Sequence, residues 1–189
     1  MSRRIILILA AVGGAAGAGW IGWALRSAQR GLARPTRQTQ PILTDLLRAH
    51  AGRIDFADAW AAPIAPGETD DPNQWASAVI RFPDGIGRLM RLRDALVRPF
   101  GLATVMDREL PPTGFPVLAE GDRELVLGMD DKHLGFRVGV ATGGGRAVIT
   151  TTVTINNRLG RAYWAVVRWF HPVIVAWLLR QARVPAAAL

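Results

Sequence analysis

An α+β fold behind one N-terminal apolar segment is what this sequence predicts. The expected domain has an antiparallel sheet, two short helices and a long C-terminal helix. Three observations carry that expectation. Ile5 to Leu25 holds no charged residue, from Val117 to Asn156 the hydrophobic period falls to two, and from Arg158 to Arg183 it returns to that of a helix. The 189 residues suffice for one domain with a real core.

The apolar run has about 21 residues, the length a helix needs to cross a hydrocarbon layer. Trp20 and Trp23 sit near one end, where amphipathic rings favour the interface. Arg3 and Arg4 precede the run, and Arg26, Arg30, Arg34 and Arg37 follow it. Residues 1–37 are therefore expected to be a single-pass anchor with a basic linker, and residues 38–189 the folded domain. A cleaved secretory signal is the alternative, with Ala16-Gly17-Ala18 as its cleavage site and Ser2-Arg3-Arg4 faintly resembling a twin-arginine signal. The continuation through Trp20 to Leu25 favours the anchor. The flanking arginines are nearly balanced, and sidedness leans towards a cytoplasmic domain. Gly17-Ala18-Gly19-Trp20-Ile21-Gly22 fits a dinucleotide fingerprint, but the first acid after it is Asp45, beyond a proline and the linker. The ribose-binding carboxylate belongs about 20 residues on, within a βαβ unit, so no dinucleotide site is expected.

The net charge of +8 suggests nucleic acid until it is divided. Six of the 23 basic residues precede position 38 with no acid among them, so the remaining 17 face 15 acids. Most of the basicity thus flanks the anchor, where it sets topology or meets anionic lipid. The expected partner is the lipid bilayer rather than nucleic acid. Without cysteine there are no disulfides and no thiolate chemistry.

A short amphipathic helix is expected from Ile42 to His50, after a polar linker over Gly31 to Gln40. Ile54 to Trp60 alternates as a half-buried strand does, and Ala61 to Asp71 reads as a loop. Asp71-Pro72 opens a helix carrying Trp75, Val79 and Ile80, and a second helix is expected from Ile86 to Val97. Arg123–Met129, His133–Ala141 and Ala147–Ile155 are alternating, β-branched strands. Asp130-Asp131-Lys132 and Thr142-Gly143-Gly144-Gly145 supply the tight turns of an antiparallel meander.

Asn157 is placed to cap the final helix. At about 100° per residue its arginines fall within a sector of roughly 120°, opposite Tyr163, Val167, Phe170, Ile174, Trp177 and Leu178. Arg168 and His171 would be costly in lipid, so the helix is expected to lie on the sheet. The alternative is an interfacial helix on a membrane surface. Pro172 is expected to kink it.

Strand, two short helices, meander and long helix is the order of the helix-grip fold. MRLRDALVRPFGL at 90–102, FPVL at 115–118, ELVLGMDDKHLGFRV at 124–138 and NRLGRAYWAVVRWFH at 157–171 resemble the domain of unknown function 2867 family, a bacterial family placed in the START-like superfamily. The resemblance covers most of residues 54–183. It implies a cavity between sheet and long helix that takes an apolar ligand, and it brings no substrate or catalytic residue.

No catalytic set is recognisable. Ser2, Ser27 and Ser77 lack the nucleophile-elbow pattern, and His50, His133 and His171 lack metal-ligand spacing. No cofactor or metal is expected. Asp130-Asp131 with His133 could act as an acid/base cluster, against the blander reading of a solvated turn. His171, at the edge of the apolar helix face, reads first as a satisfied boundary histidine. Arg93 falls on the apolar face of the 86–97 helix. A buried guanidinium demands a carboxylate, for which Asp130 is the first choice, or an anionic ligand group. Arg93, Asp130, His133 and His171 are thus the candidate ligand contacts. Three functions follow: a membrane-tethered binder of an apolar or lipid-like molecule, which is favoured; a cyclase- or hydratase-like enzyme needing an acid/base pair in its cavity; and an interaction module with a filled core.

Overall fold

The computed structural model describes residues 35–38, 40–80, 115–182 and 184–185. The Ile5–Leu25 segment, the 86–97 helix and Arg93 lie outside the described residues. Within them the chain forms β1 (Thr36–Arg37), α1 (Asp45–Ala51), β2 (Phe56–Pro63), α2 (Pro72–Ile80), β3 (Val117–Gly121), β4 (Glu124–Asp130), β5 (Leu134–Gly143), β6 (Arg146–Ile155) and α3 (Arg158–Gln181). The fold is α+β, as expected. One six-stranded antiparallel sheet runs in the order β1-β2-β6-β5-β4-β3.

The meander forms because its turns are local and chemically specific. Gly144 and Gly145 hold φ of 56° and 70°, so both central residues of the β5–β6 hairpin occupy the left-handed region that a type I′ turn requires. Two strands exceed the expectation. β1 arises within the polar stretch read as a linker, pairing Thr36 with Ala61 and Arg37 with Trp60. β3 pairs with β4 around a bulge between Val117 and Ala119. β2 also runs on to Pro63, into the predicted loop, because its register with β6 continues to Arg146. The proline falls on the last residue, where a missing N–H does least harm.

The two sheet faces differ in side-chain size. One carries Ala57, Ala59 and Ala61 of β2, Thr150 and Thr152 of β6, and Gly139 of β5. These small residues let α1 lie directly on the strands, and Leu47 is fully buried there. A Cβ at Gly139 would stand 3.0 Å from the Leu47 Cδ2. Thr44 caps α1 by accepting from Leu47 N–H at 3.2 Å, and its own hydroxyl donates to Glu124 on β4.

The other face holds the core under α2 and α3. Leu125, Leu127, Val140 and Ile149 meet Trp75 and Val79 from α2 and Val175, Leu178 and Leu179 from α3. Trp75 is buried with its indole N–H donating to the Thr69 carbonyl at 2.8 Å, so no polar group is stranded. Asn157 caps α3 by accepting from Leu159 and Gly160 N–H, both at 3.0 Å. The helix continues through Pro172. It is the one described helix long and apolar enough to cross a membrane by length and composition. It lies along the sheet, with its C-terminal half in the core.

Candidate functional site

At the junction of β2 and α3 a carboxylate is taken out of water. Asp58 shares the phase of Phe56 and Trp60 on the inner face of β2, and it is 2% exposed. Its Oδ1 lies 3.1 Å from His171 Nε2, and its Oδ2 accepts from the Trp60 indole N–H at 3.2 Å. Phe56 and Trp164 wall the histidine with ring centroids 5.9 and 5.8 Å from the imidazole, and they meet each other at 4.8 Å. A carboxylate in so apolar a surrounding needs these donors, since unpaired burial costs several kcal/mol. Chemically, a histidine fixed by a buried acid can hold a proton or orient a polar ligand group.

His171 is thus the predicted site residue that the structure brings into a polar cluster. Asp58, which completes it, was readable as an acid in the apolar phase of IDFADAW. Its partner lies 113 residues away, so nothing local announced the pair. Near Asp58 the sheet edge has a depression of about 300 Å³, lined by Arg37, Gln38, Pro41, Ala57 and Asp58.

Asp130 and His133 sit elsewhere, at the β4–β5 turn. Asp130 is not a buried acid awaiting Arg93. Its side chain is 70% exposed, and Arg137 engages it twice, at 2.9 and 2.8 Å. These guanidinium hydrogen bonds hold its carboxyl below the usual carboxylate range. Among the described residues the guanidinium that takes this carboxylate is Arg137, half-buried at 15% exposure, which also donates to the carbonyls of His50 and Phe136. His133 joins turn to helix: its Nδ1 is 2.8 Å from the Asn157 amide, and its carbonyl accepts from Asn156 N–H. Asp131 closes the turn by accepting from Lys132 N–H. Among the described residues no bond links this turn to His171, and no cluster of three His, Asp or Glu has the arrangement to hold a metal.

The inner face also changes character along its length. β5 is buried at Val140 but half-exposed at Val138, Phe136 and Leu134. α3 is buried at Trp177 and Leu178 but half-exposed at Ile174, Phe170, Val167 and Tyr163. Half-exposed apolar side chains thus stand on both β5 and α3, while Gly160 and Trp164 are buried in the same half of the helix.

No curated protein and no solved structure matches this chain. Residues 50–177 match the family described as "Protein of unknown function (DUF2867)", and this match spans β2, the meander and most of α3. The chain belongs to the domain of unknown function 2867 family.

Proposed function

We propose that this is a membrane-anchored, START-like helix-grip domain that binds a small apolar or lipid-like molecule between the sheet and α3. The observation that carries the reading is the row of half-exposed apolar side chains on β5 and α3. Apolar surface left accessible inside a fold has a standing driving force to be covered, about 25 cal/mol per Å². A site of that kind needs few polar groups, and His171 with Asp58 supplies one at its margin. Ile5–Leu25 supplies the anchor in this reading.

The test is organic extraction of the purified full chain followed by mass spectrometry. A lipid or similar amphiphile at a defined stoichiometry is expected, and Val138→Trp, which adds bulk within that row, should lose it while keeping the melting transition. Recovery of nothing beyond the carrier detergent, in wild type and variant alike, would end the proposal.

An enzyme of the cyclase or hydratase kind is the second reading, favoured by the Asp58–His171 pair. The bonds themselves weigh against it. Both carboxylate oxygens and the His171 Nε2 are engaged within the protein, as in a pair that fastens helix to sheet.

A further inference from the structure

The outer face of α3, away from the sheet, has features that the ligand reading does not use. Arg158, Arg161, Ala165, Arg168 and Trp169 are exposed along it. At 100° per residue they share a sector of about 100°, which extends through Pro172 to Ala176. Trp169 is 69% exposed, the largest exposure among the big apolar side chains described. Such a residue on a surface otherwise formed by arginines and small apolar groups marks a boundary between phases more than a protein core. The Arg168 guanidinium carbon stands 5.3 Å from the Trp169 ring centroid, so the cation and the ring are presented together. The helix contains four arginines and no acid. One described carboxylate within electrostatic reach of this face is Asp55, which Arg161 acts on, and Arg53 already pairs with it at 2.8 Å. The face is therefore net positive.

We propose that this outer face of α3 seats the domain on the surface of a membrane rich in anionic lipid. Arg158, Arg161 and Arg168 would meet lipid phosphates, and Trp169 would enter the headgroup region, where its ring is apolar and its N–H stays hydrated. Charge decides against a second copy of the chain, since a two-fold contact through this face would set arginines against arginines. The proposal does not rest on a bound ligand: extraction reads the cavity, whereas a probe on α3 reads the docking face.

The chain has no cysteine, so Ala165→Cys gives one labelling position. The full chain carrying the environment-sensitive fluorophore NBD there is reconstituted into phosphatidylcholine vesicles with or without phosphatidylglycerol. The comparison label sits at Asp122→Cys, in the exposed β3–β4 turn near the opposite sheet edge. Docking predicts a blue shift at position 165 in the anionic vesicles alone, with position 122 unchanged. Each arginine near an anionic surface contributes about a kcal/mol, so R161Q/R168Q should lower the docked-to-undocked ratio roughly thirty-fold. High salt should lower it too. Equal response at positions 165 and 122 would overturn the proposal. So would a shift at 165 that needs no anionic lipid and grows with protein concentration, which would instead identify a second copy as the occupant.

Discussion

At the scale of single residues, two positions carry more of the architecture than their chemistry suggests. A Cβ at Gly160, in the first turn of α3, would lie 1.9 Å from the His133 carbonyl oxygen. That neighbour is backbone, held by Asn156 N–H at 3.0 Å, and cannot swing aside. Gly160→Ala should therefore cost about 3 kcal/mol or more, at the upper end of overpacking, and thermal denaturation would show it. A loss under about 0.5 kcal/mol would mean that the helix start and the turn are not in contact. Arg137 is the second position. Arg137→Met leaves three carbonyls without a charged donor and should cost about 2 kcal/mol. Asp130→Asn should cost only about 0.5 kcal/mol, because the carboxylate is mostly in water. The sign of its pH dependence follows from the lowered titration point. Its contribution is present above the ordinary carboxylate range and fades as pH falls through the depressed value. Melting curves of wild type and Asp130→Asn should differ at neutral pH and converge in acid, below the ordinary carboxylate range.

At the scale of elements, the Asp58–His171 pair fastens β2 to α3. His171→Leu leaves a carboxylate that is 2% exposed with one neutral donor, Trp60, and should cost about 3 to 5 kcal/mol. Asp58→Leu together with His171→Leu removes the buried charge as well, and most of the loss should return. Equilibrium unfolding of the two single variants and the double closes this cycle; strict additivity would show that the groups do not interact. How legible these elements were from the residues depended on how local their causes are. The β5–β6 turn and the Asn157 cap were readable because each is a contact between near neighbours. β1 was not, since Thr36–Arg37 lies in a polar basic stretch and is a strand only because β2 offers it a free edge. β3 was obscured by its bulge and by facing solvent at Val117 and Leu118. The same distinction governs the candidate site. The demand of a guanidinium for Asp130 is met by Arg137, while Arg93, to which it was assigned, lies outside the described residues. Arg137 sits in a strand that the alternation alone marked as half-buried, and the carbonyls it satisfies include one 87 positions away. His171 was visible from its helix phase, while Asp58 needed its place in the apolar phase of β2 to be weighed.

For the whole molecule, the question is what folds without the N-terminal segment. The described sheet is held together by the β2–β6 pairing and the meander, and its core is drawn from α2, α3 and those strands, all beyond residue 55. Residues 38–189 are therefore expected to fold alone, soluble and monomeric, because α1 covers one face and α2 and α3 the other. A fragment starting at residue 35 should be more stable than one starting at 38. The longer piece keeps β1, which adds two residue pairings to the otherwise open edge of β2. It also keeps the Arg146 bond to the Thr36 hydroxyl at 3.3 Å. These contacts lie at an exposed edge, so the difference should be small, about 1 kcal/mol. The shorter fragment also bares the edge of a strand whose partner is gone, which is the usual route to edge-to-edge association. Chemical denaturation of both fragments measures the stability difference, and sedimentation measures association. The expected outcome is a lower denaturation midpoint for residues 38–189 with both pieces monomeric at low concentration. Aggregation of the 35–189 piece without detergent would show that the N-terminal segment is part of the fold, and that the division of the chain after residue 37 is not a physical one.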